Sequence, residues 1–361
     1  MNNIRVAIYL ESSLGLEMLT NENVSISRET GDFPFNRDDQ FYYMRVLYKK
    51  FMDANIMVDM YLNFIESNIY PTHSIFFDIP RKIDIVKNEI FSKSYKIAML
   101  SECEVISPVN YDKQAHELFD CIFTQVNSLV YSNPKAMYLP TIRDKLFTDY
   151  DLKNFNKYHN ANKSKLCVLI SSNKTNPHPL ELYSSRESLV EWFDCNFPDD
   201  FDLYGYDWDK AYFQHPSLLT FLNRFKIFTE RKSIYKFYKG EVLSKIDTMS
   251  NYKFSISFEN AKDIDGYLTE KIFDSMISGA VPIYYGDPNI EKRIPRECYI
   301  KFEDFNGYAD LYDYIKNISQ EEYNNYLKAI SRFLRSEAIH IFSASASASI
   351  LVNKIMNLER T

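Results

Sequence analysis

Residues 258–272, FENAKDIDGYLTEKI, gather Glu259, Asn260, Tyr267, Glu270 and Lys271 into one short stretch. A lysine in the first turn of a helix opposes the helix dipole and disfavours it by roughly a few tenths of a kcal/mol. Placed against a phosphate, the same lysine becomes favourable. Glu270 would repel a phosphate, but a carboxylate there accepts hydrogen bonds from ribose or sugar hydroxyls, as acidic residues do in dinucleotide sites. Asn260 can donate and accept at once, and Tyr267 can stack or hydrogen-bond. Taken singly, these residues also suit the start of an ordinary surface helix. Taken together, they suit a site for a phosphorylated ligand.

The elements that must position this stretch are a strand, a helix and a second strand. KFSISFE (253–259) is mostly apolar, as a strand buried on both faces should be, and TEKIFDSMISG places Ile272, Phe273, Met276 and Ile277 at helical spacing. Thr269 suits the N-cap and Gly279 the position after the last turn. VPIYYG (281–286) returns as a strand, so the loop NAKDIDGY sits at the carboxyl end of a parallel strand, where open sheets bind ligands.

Similar units fill the rest of the 361 residues. Strands are expected at 4–10, 56–62, 74–79, 96–101, 121–126, 165–172, 201–206 and 298–302, with helices near 38–54, 82–92, 111–119, 180–194, 269–278 and 308–317. The alternation predicts two α/β domains with mostly parallel sheets. The polar, Asn- and Lys-rich stretch 148–165 reads as the linker. The expected division is a first domain over 1–150, a second over 164–330 and a helical segment over 331–361. Ser319 and Glu322 form a capping box at the start of a C-terminal helix, and the small-residue run SASASAS (343–349) reads as a packed helix.

Composition narrows the function. A formal net charge of −7 sets the long-range field against nucleic acid and anionic membrane. The one opposing signal is RFKIFTERKSIYKFYKG (224–240), whose basic and aromatic residues are read as a solvated segment beside an anionic cleft rather than a nucleic-acid strip. The 28 Tyr and 27 Phe could supply stacking surfaces, but aromatic cores are the commoner use. Five scattered cysteines form no C-x-x-C pair, which fits a reducing cytosol and excludes a thiolate zinc site. The six histidines contain no H-x-x-x-H pair. D-x-D pairs include Asp149/Asp151, Asp207/Asp209 and Asp263/Asp265, a recurrence that shows how little the motif selects. No apolar run reaches the length of a membrane span, so a cytoplasmic protein with at most peripheral contact at the inner membrane face is expected.

Residues 252–290, YKFSISFENAKDIDGYLTEKIFDSMISGAVPIYYGDPNI, resemble the C-terminal signature of the α-1,3-fucosyltransferases of glycosyltransferase family 10. That pattern runs F-x-x-x-F-E-N, a short loop, Y-x-T-E-K, a small-residue turn and P-I-Y-x-G. The resemblance implies a GT-B architecture, two Rossmann-like α/β domains facing across a cleft, and inverting transfer of L-fucose from GDP-fucose. Carried over by motif, Asn260, Tyr267, Glu270 and Lys271 would contact the donor, with Lys271 on phosphate and Glu270 on ribose or fucose hydroxyls. ISSNKTNPHPLELYSSRESL (170–189) matches the family's strand, S-N turn and helix-opening arginine, which makes Arg186 the diphosphate clamp.

The family's first domain supplies a carboxylate base at a strand end, and KIAMLSECEVISP (96–108) offers Glu102, with Glu104 as the alternative. The carboxylate is needed because an acceptor hydroxyl is a weak nucleophile until its proton is accepted. No essential metal or cofactor is expected, since Lys271 and Arg186 could neutralise the diphosphate. The implied partners are a GDP-sugar and an oligosaccharide or glycolipid acceptor, such as an N-acetylglucosamine-type glycan or a lipopolysaccharide O-antigen, with no nucleic acid. The alternatives are a transferase of another GDP-deoxysugar and a catalytically idle glycan-binding protein of the same fold.

Overall fold

The computed structural model describes residues 4–10, 41–140, 156–209 and 235–358. Two parallel sheets organise them. The first contains β1 (Arg5–Leu10), β2 (Met57–Met60), β3 (His73–Phe77), β4 (Tyr95–Leu100), β5 (Cys121–Thr124) and β6 (Ala136–Tyr138), in the order β2-β1-β3-β4-β5-β6. The second contains β7 (Lys165–Ile170), β8 (Phe201–Tyr204), β9 (Tyr252–Phe258), β10 (Val281–Tyr285) and β11 (Ile300–Lys301), in the order β11-β10-β9-β7-β8. The helices used below are α1 (Tyr42–Asp53), α2 (Tyr183–Asn196), α3 (Lys245–Met249), α4 (Glu270–Ile277), α5 (Tyr308–Asn317), α6 (Gln320–Leu334) and α7 (Ala344–Leu358).

The βαβ unit expected from the sequence is present. Phe254, Ile256 and Phe258 of β9 lie beside Val281, Ile283 and Tyr285 of β10. Between them α4 buries Ile272, Phe273 and Met276 completely. Each of these side chains contributes about 1.5–3 kcal/mol on burial, which fixes the helix face and therefore where its first turn points. Gly279 follows the helix at φ +71°, where an added Cβ would meet the Tyr158 carbonyl oxygen at 2.9 Å.

Several boundaries differ from expectation. The strand at 56–62 stops at Met60, and a short helix, Tyr61–Ser67, begins at once. The helix expected over 82–92 is two 3₁₀ turns, Ile83–Ile85 and Glu89–Phe91. There the Asn88 side chain accepts from the Ile90 amide and Ser94 donates to the Phe91 carbonyl, so side chains compete with the helical ladder. The helix near 111–119 shortens to Lys113–His116 behind a 3₁₀ turn. Strand β6, three residues long, was too short to register as an apolar run.

The aromatic residues go to the core. Phe193 stacks on Phe201 at 4.3 Å and Phe197 on Tyr312 at 3.9 Å, joining α2, β8 and α5. Ser319 caps α6 by accepting from the Glu322 amide at 3.1 Å. The last helix, α7, contains the SASASAS run and returns to the first domain. Ala344, Ala348, Leu351, Val352 and Ile355 pack with Tyr43, Leu47 and Phe51 of α1, and the small side chains permit close approach. The C-terminal segment thus completes the first domain's core. No helix among the described residues is long and apolar enough to cross a membrane. Residues 148–155 of the expected linker, Asp149/Asp151 and residues 224–234 of the basic segment lie outside the described residues.

Candidate active site

The loop after β9 is tied on both sides. The Glu259 amide donates to Tyr285 O at 2.8 Å and the Asp263 amide to Gly286 O, while Leu182 N donates to Asn260 O and Lys262 N to Leu180 O. Glu259 itself is fully buried, and its carboxylate accepts from the Thr269 amide (2.8 Å) and hydroxyl (2.6 Å). Lys271 Nζ lies 3.3 Å from the same carboxylate and 2.9 Å from Thr269 Oγ1. Thr269 therefore occupies the N-cap position of α4 without capping through its own side chain. Gly286 leaves the room: a Cβ there would stand 2.6 Å from Glu259 Cγ.

Glu270 is 43% exposed at the first turn of α4. Although its burial works the other way, the charges of Lys271 and Lys245 hold its carboxyl well below the usual carboxylate range. Lys245, from α3, reaches both Glu270 (3.4 Å) and Asp274 (3.3 Å). Glu270 is thus an oriented, ionised acceptor at the helix mouth. Lys245 escaped the sequence reading because its partners lie 25 and 29 residues away.

Arg186 is almost completely buried in the first half of α2. Its Nη2 donates to Phe258 O (2.7 Å), Glu259 O (2.6 Å) and Asn260 Oδ1 (3.1 Å), and the guanidinium lies over the Tyr183 ring. The arginine holds the end of β9 in place. Its Nε and the Ser171 hydroxyl at the end of β7 are buried without protein partners. Both residues line one small recess with Lys245, Lys271 and Asp274, so two unsatisfied polar groups lie among cations at the mouth of α4.

Asn260 sits between Arg186 and the Tyr267 hydroxyl, 3.4 Å away. Tyr267 is 1% exposed and packs with Cys103, Val105 and Val126 of the first domain. Its ring faces are occupied, leaving the hydroxyl as its polar contribution. The seam continues at Gly266, φ +97°, where a Cβ would stand 2.0 Å from the Gln125 carbonyl oxygen. Asn127 bonds Asp265 through side chain and backbone, and Arg293 bridges Asp265 (3.2 Å) and Asp287 (2.8 Å).

On the first-domain side, Glu102 and Glu104 separate. Glu104 lies 3.6 Å from His178 Nε2 across the seam. Glu102, immediately beyond β4, is pushed up to about 7 by burial and by the Asp78 charge. Lys271, Glu270 and Lys174 of the second domain also act on it, so Glu102 lies within electrostatic reach of the first turn of α4. Asp78 and Asn110, which hold its turn, were not singled out in the sequence; SIFFDIP shows only a strand end followed by a proline.

Asp263 and Asp265 do not converge: Asp263 pairs with Lys262, whereas Asp265 joins Arg293 and Asn127. Among the described residues, no group of three or more His, Cys, Asp or Glu is placed to hold a metal ion.

Residues 227–346 match the C-terminal domain of glycosyltransferase family 10 (fucosyltransferase). Over 86 residues, 24% of this chain and 18% of the relative, the sequence is 37% identical to alpha-(1,3)-fucosyltransferase FucT of Helicobacter pylori. Over 148 residues, 40% of this chain and 37% of the relative, it is 30% identical to 4-galactosyl-N-acetylglucosaminide 3-alpha-L-fucosyltransferase 9 of Mus musculus. These matches span well under half the length of either relative. The crystal structure of an alpha1,3-fucosyltransferase aligns over 98% of this chain and 90% of its own, at 16% identity and a TM-score of 0.58. A DNA-modifying beta-glucosyltransferase aligns over 98% and 99%, at 12% identity and a TM-score of 0.54. The shared fold is the two-domain GT-B architecture. The FEN and Y-x-T-E-K residues that build the helix mouth fall inside the matched region, so it is the second domain, over residues 227–346, that is similar to the C-terminal domain of glycosyltransferase family 10.

Proposed function

We propose that the chain transfers L-fucose from GDP-fucose to a hydroxyl of a glycan acceptor, with inversion at the anomeric carbon. The observation that carries this is the packing of the turn that bears Glu102, through Cys103 and Val105, against Tyr267 of the second domain, within electrostatic reach of Lys271 and Glu270. A base and a leaving-group site then face each other from two domains. The acceptor oxygen bonds to the anomeric carbon as its proton passes to the Glu102 carboxylate. The bond from that carbon to the diphosphate oxygen breaks, and its electron pair leaves with the diphosphate. Lys271 and the first amides of α4 receive that charge. Arg186 acts by holding the loop that carries Asn260 and by offering its unpartnered Nε to the same recess.

A carboxylate whose proton affinity lies near neutrality is the best base for this task. The Mus musculus relative is named for 4-galactosyl-N-acetylglucosaminide and the Helicobacter pylori relative for the α-1,3 linkage, which supports an N-acetylglucosamine-type acceptor with an α-1,3 linkage. Charge neutralisation by Lys271 and Lys245 supports transfer without a divalent metal, so full activity in EDTA is expected. Incubation with a panel of GDP- and UDP-sugars and glycan acceptors tests the whole proposal. Transfer from a UDP-sugar with GDP-fucose inert would overturn the donor assignment, and a strict Mn²⁺ or Mg²⁺ requirement would overturn the metal-free reading.

A further inference from the structure

Glu102 is held by Asp78 and Asn110, 24 and 8 residues away. Asp78 follows β3 directly, at φ +59°. That left-handed conformation is one that Asp and Asn tolerate better than other residues with a Cβ. Its Oδ1 accepts from the Ser101 amide (2.8 Å), the Glu102 amide (3.1 Å) and Asn110 Nδ2 (2.7 Å). Its Oδ2 accepts from the Ser101 hydroxyl at 2.7 Å. Asn110 is fully buried; its Nδ2 also reaches Glu102 O (3.1 Å), and its Oδ1 accepts from the Ile79 amide (2.9 Å). His116 in turn fixes the Asn110 carbonyl at 2.7 Å.

Four donors converge on the Asp78 carboxylate, and the bracket they form has no counterpart around Glu104. We propose that Asp78 is the positioning residue of the base: with Asn110 it fastens the Ser101–Glu102 turn, and it sets its carboxylate beside the Glu102 carboxyl. This rests on Glu102 being the base of the proposed transfer. The Asp78 charge disfavours a second anion nearby, so that the proton leaving the acceptor hydroxyl finds a receptive Glu102.

The other groups facing Glu102 divide in sign. Lys271 and Lys174 pull its proton affinity down, and Glu270 raises it together with Asp78. Cys103 on its own turn, and Tyr111, Tyr183 and Tyr267 from the neighbouring elements, surround the same point as neutral groups. Asp78 is the anion bonded to the Glu102 backbone, whereas Glu270 is held by lysines of its own domain.

Asp78→Asn separates charge from bracket. Asparagine keeps the left-handed conformation and Oδ1, and its amide can donate to the Ser101 hydroxyl, so the hydrogen bonds persist while the charge goes. Carbon-13 NMR titration of the glutamate carboxyls, with the Glu102 signal identified by its loss in Glu102→Gln, should show the Glu102 midpoint lower by about one pH unit in Asp78→Asn. The acid limb of kcat/KM should move down with it, with GDP affinity unchanged. Asp78→Ala, which also removes the bracket, should lower kcat by about 100-fold with GDP affinity intact in the folded variant. A Glu102 midpoint that stays in place in Asp78→Asn overturns the proposal. The titration needs no turnover, so it stands apart from the function: a wild-type protein inert with every GDP-sugar would refute the transfer reading, whereas full transfer with an unmoved midpoint would refute Asp78 alone.

Discussion

The loop after β9, proposed to hold the donor, and the turn after β4, proposed to serve the acceptor, hold their carboxylates by different means. In the donor loop, Glu259, Thr269 and Lys271 hold one another within thirteen consecutive residues, so the local sequence carries most of the interaction set. In the acceptor-side turn, Glu102 is held by Asp78 and Asn110, 24 and 8 residues away. A site assembled from one segment can be recognised in one segment. A site assembled across strands has a motif that looks irregular, because the partners that explain it lie on other strands. In the loop after β9 the Glu259 carboxylate is bonded by Thr269 and Lys271, while Glu102 carries an imposed proton affinity; in the proposed reaction one side holds and the other reacts.

The largest effect should therefore fall on the reactive side. Glu102→Gln keeps size and most hydrogen bonding but cannot accept the proton, so kcat should fall by roughly 10² to 10⁴ with GDP affinity intact. Glu104→Gln, which loses only the contact with His178, should be mild. The reverse ranking would transfer the base role to Glu104. Because the wild-type Glu102 carboxyl is pushed up to about 7 and must be ionised to act, kcat/KM should fall as pH drops through about 7. An acid limb near the ordinary carboxylate range would contradict that placement.

On the holding side, removal of Arg186 should act on structure first. Arg186→Ala leaves Phe258 O, Glu259 O and Asn260 Oδ1 without their buried donor, a loss of about 2–4 kcal/mol in unfolding free energy, accompanied by weaker GDP binding. Denaturant unfolding and GDP calorimetry measure the two. Weaker GDP binding without any loss of stability would make Arg186 a ligand clamp rather than a brace for β9. Lys271→Ala should be smaller, weakening GDP by about 1.5–3 kcal/mol as a phosphate loses its charge-assisted partner. Unchanged GDP affinity in that folded variant would remove Lys271 from the diphosphate site.

The same contrast accounts for what could be read in the sequence. The βαβ unit around α4 was legible because Ile272, Phe273 and Met276 repeat at helical spacing and β9 and β10 are long apolar runs. Residues 82–92 were misread as a helix because Ile83, Ile85, Val86, Ile90 and Phe91 mimic an apolar stripe, and the Asn88 and Ser94 bonds that break it cannot be weighed from composition. The bracing bonds of Arg186 could not be read from the sequence, since its three acceptors lie more than 70 positions away. Lys245 and Asp78 were missed for the same reason: each is defined by long-range partners.

The smallest expected effect, on stability, separates a reactive residue from a holding one. The folded-state proton affinity of Glu102 lies above that of an exposed glutamate, so the protonated form is favoured by folding. The stability tied to that proton is fully present below the unfolded-state value near 4.5 and is lost as pH rises through about 7. Above pH 7 the ionised Glu102, half-buried beside Asp78, should therefore weigh against the native state. Glu102→Gln removes that ionisation, so the variant should be more stable than the wild type by about 1–2 kcal/mol at pH 8.5 and close to it at pH 4.5, after allowance for solvent screening. Urea unfolding at the two pH values measures the difference. A residue kept for holding would show the opposite sign, a loss on substitution; equal stabilities at pH 8.5 would mean that the Glu102 environment exacts no penalty from its charge. A gain in stability together with a loss of turnover would identify Glu102 as a group the fold carries for its chemistry.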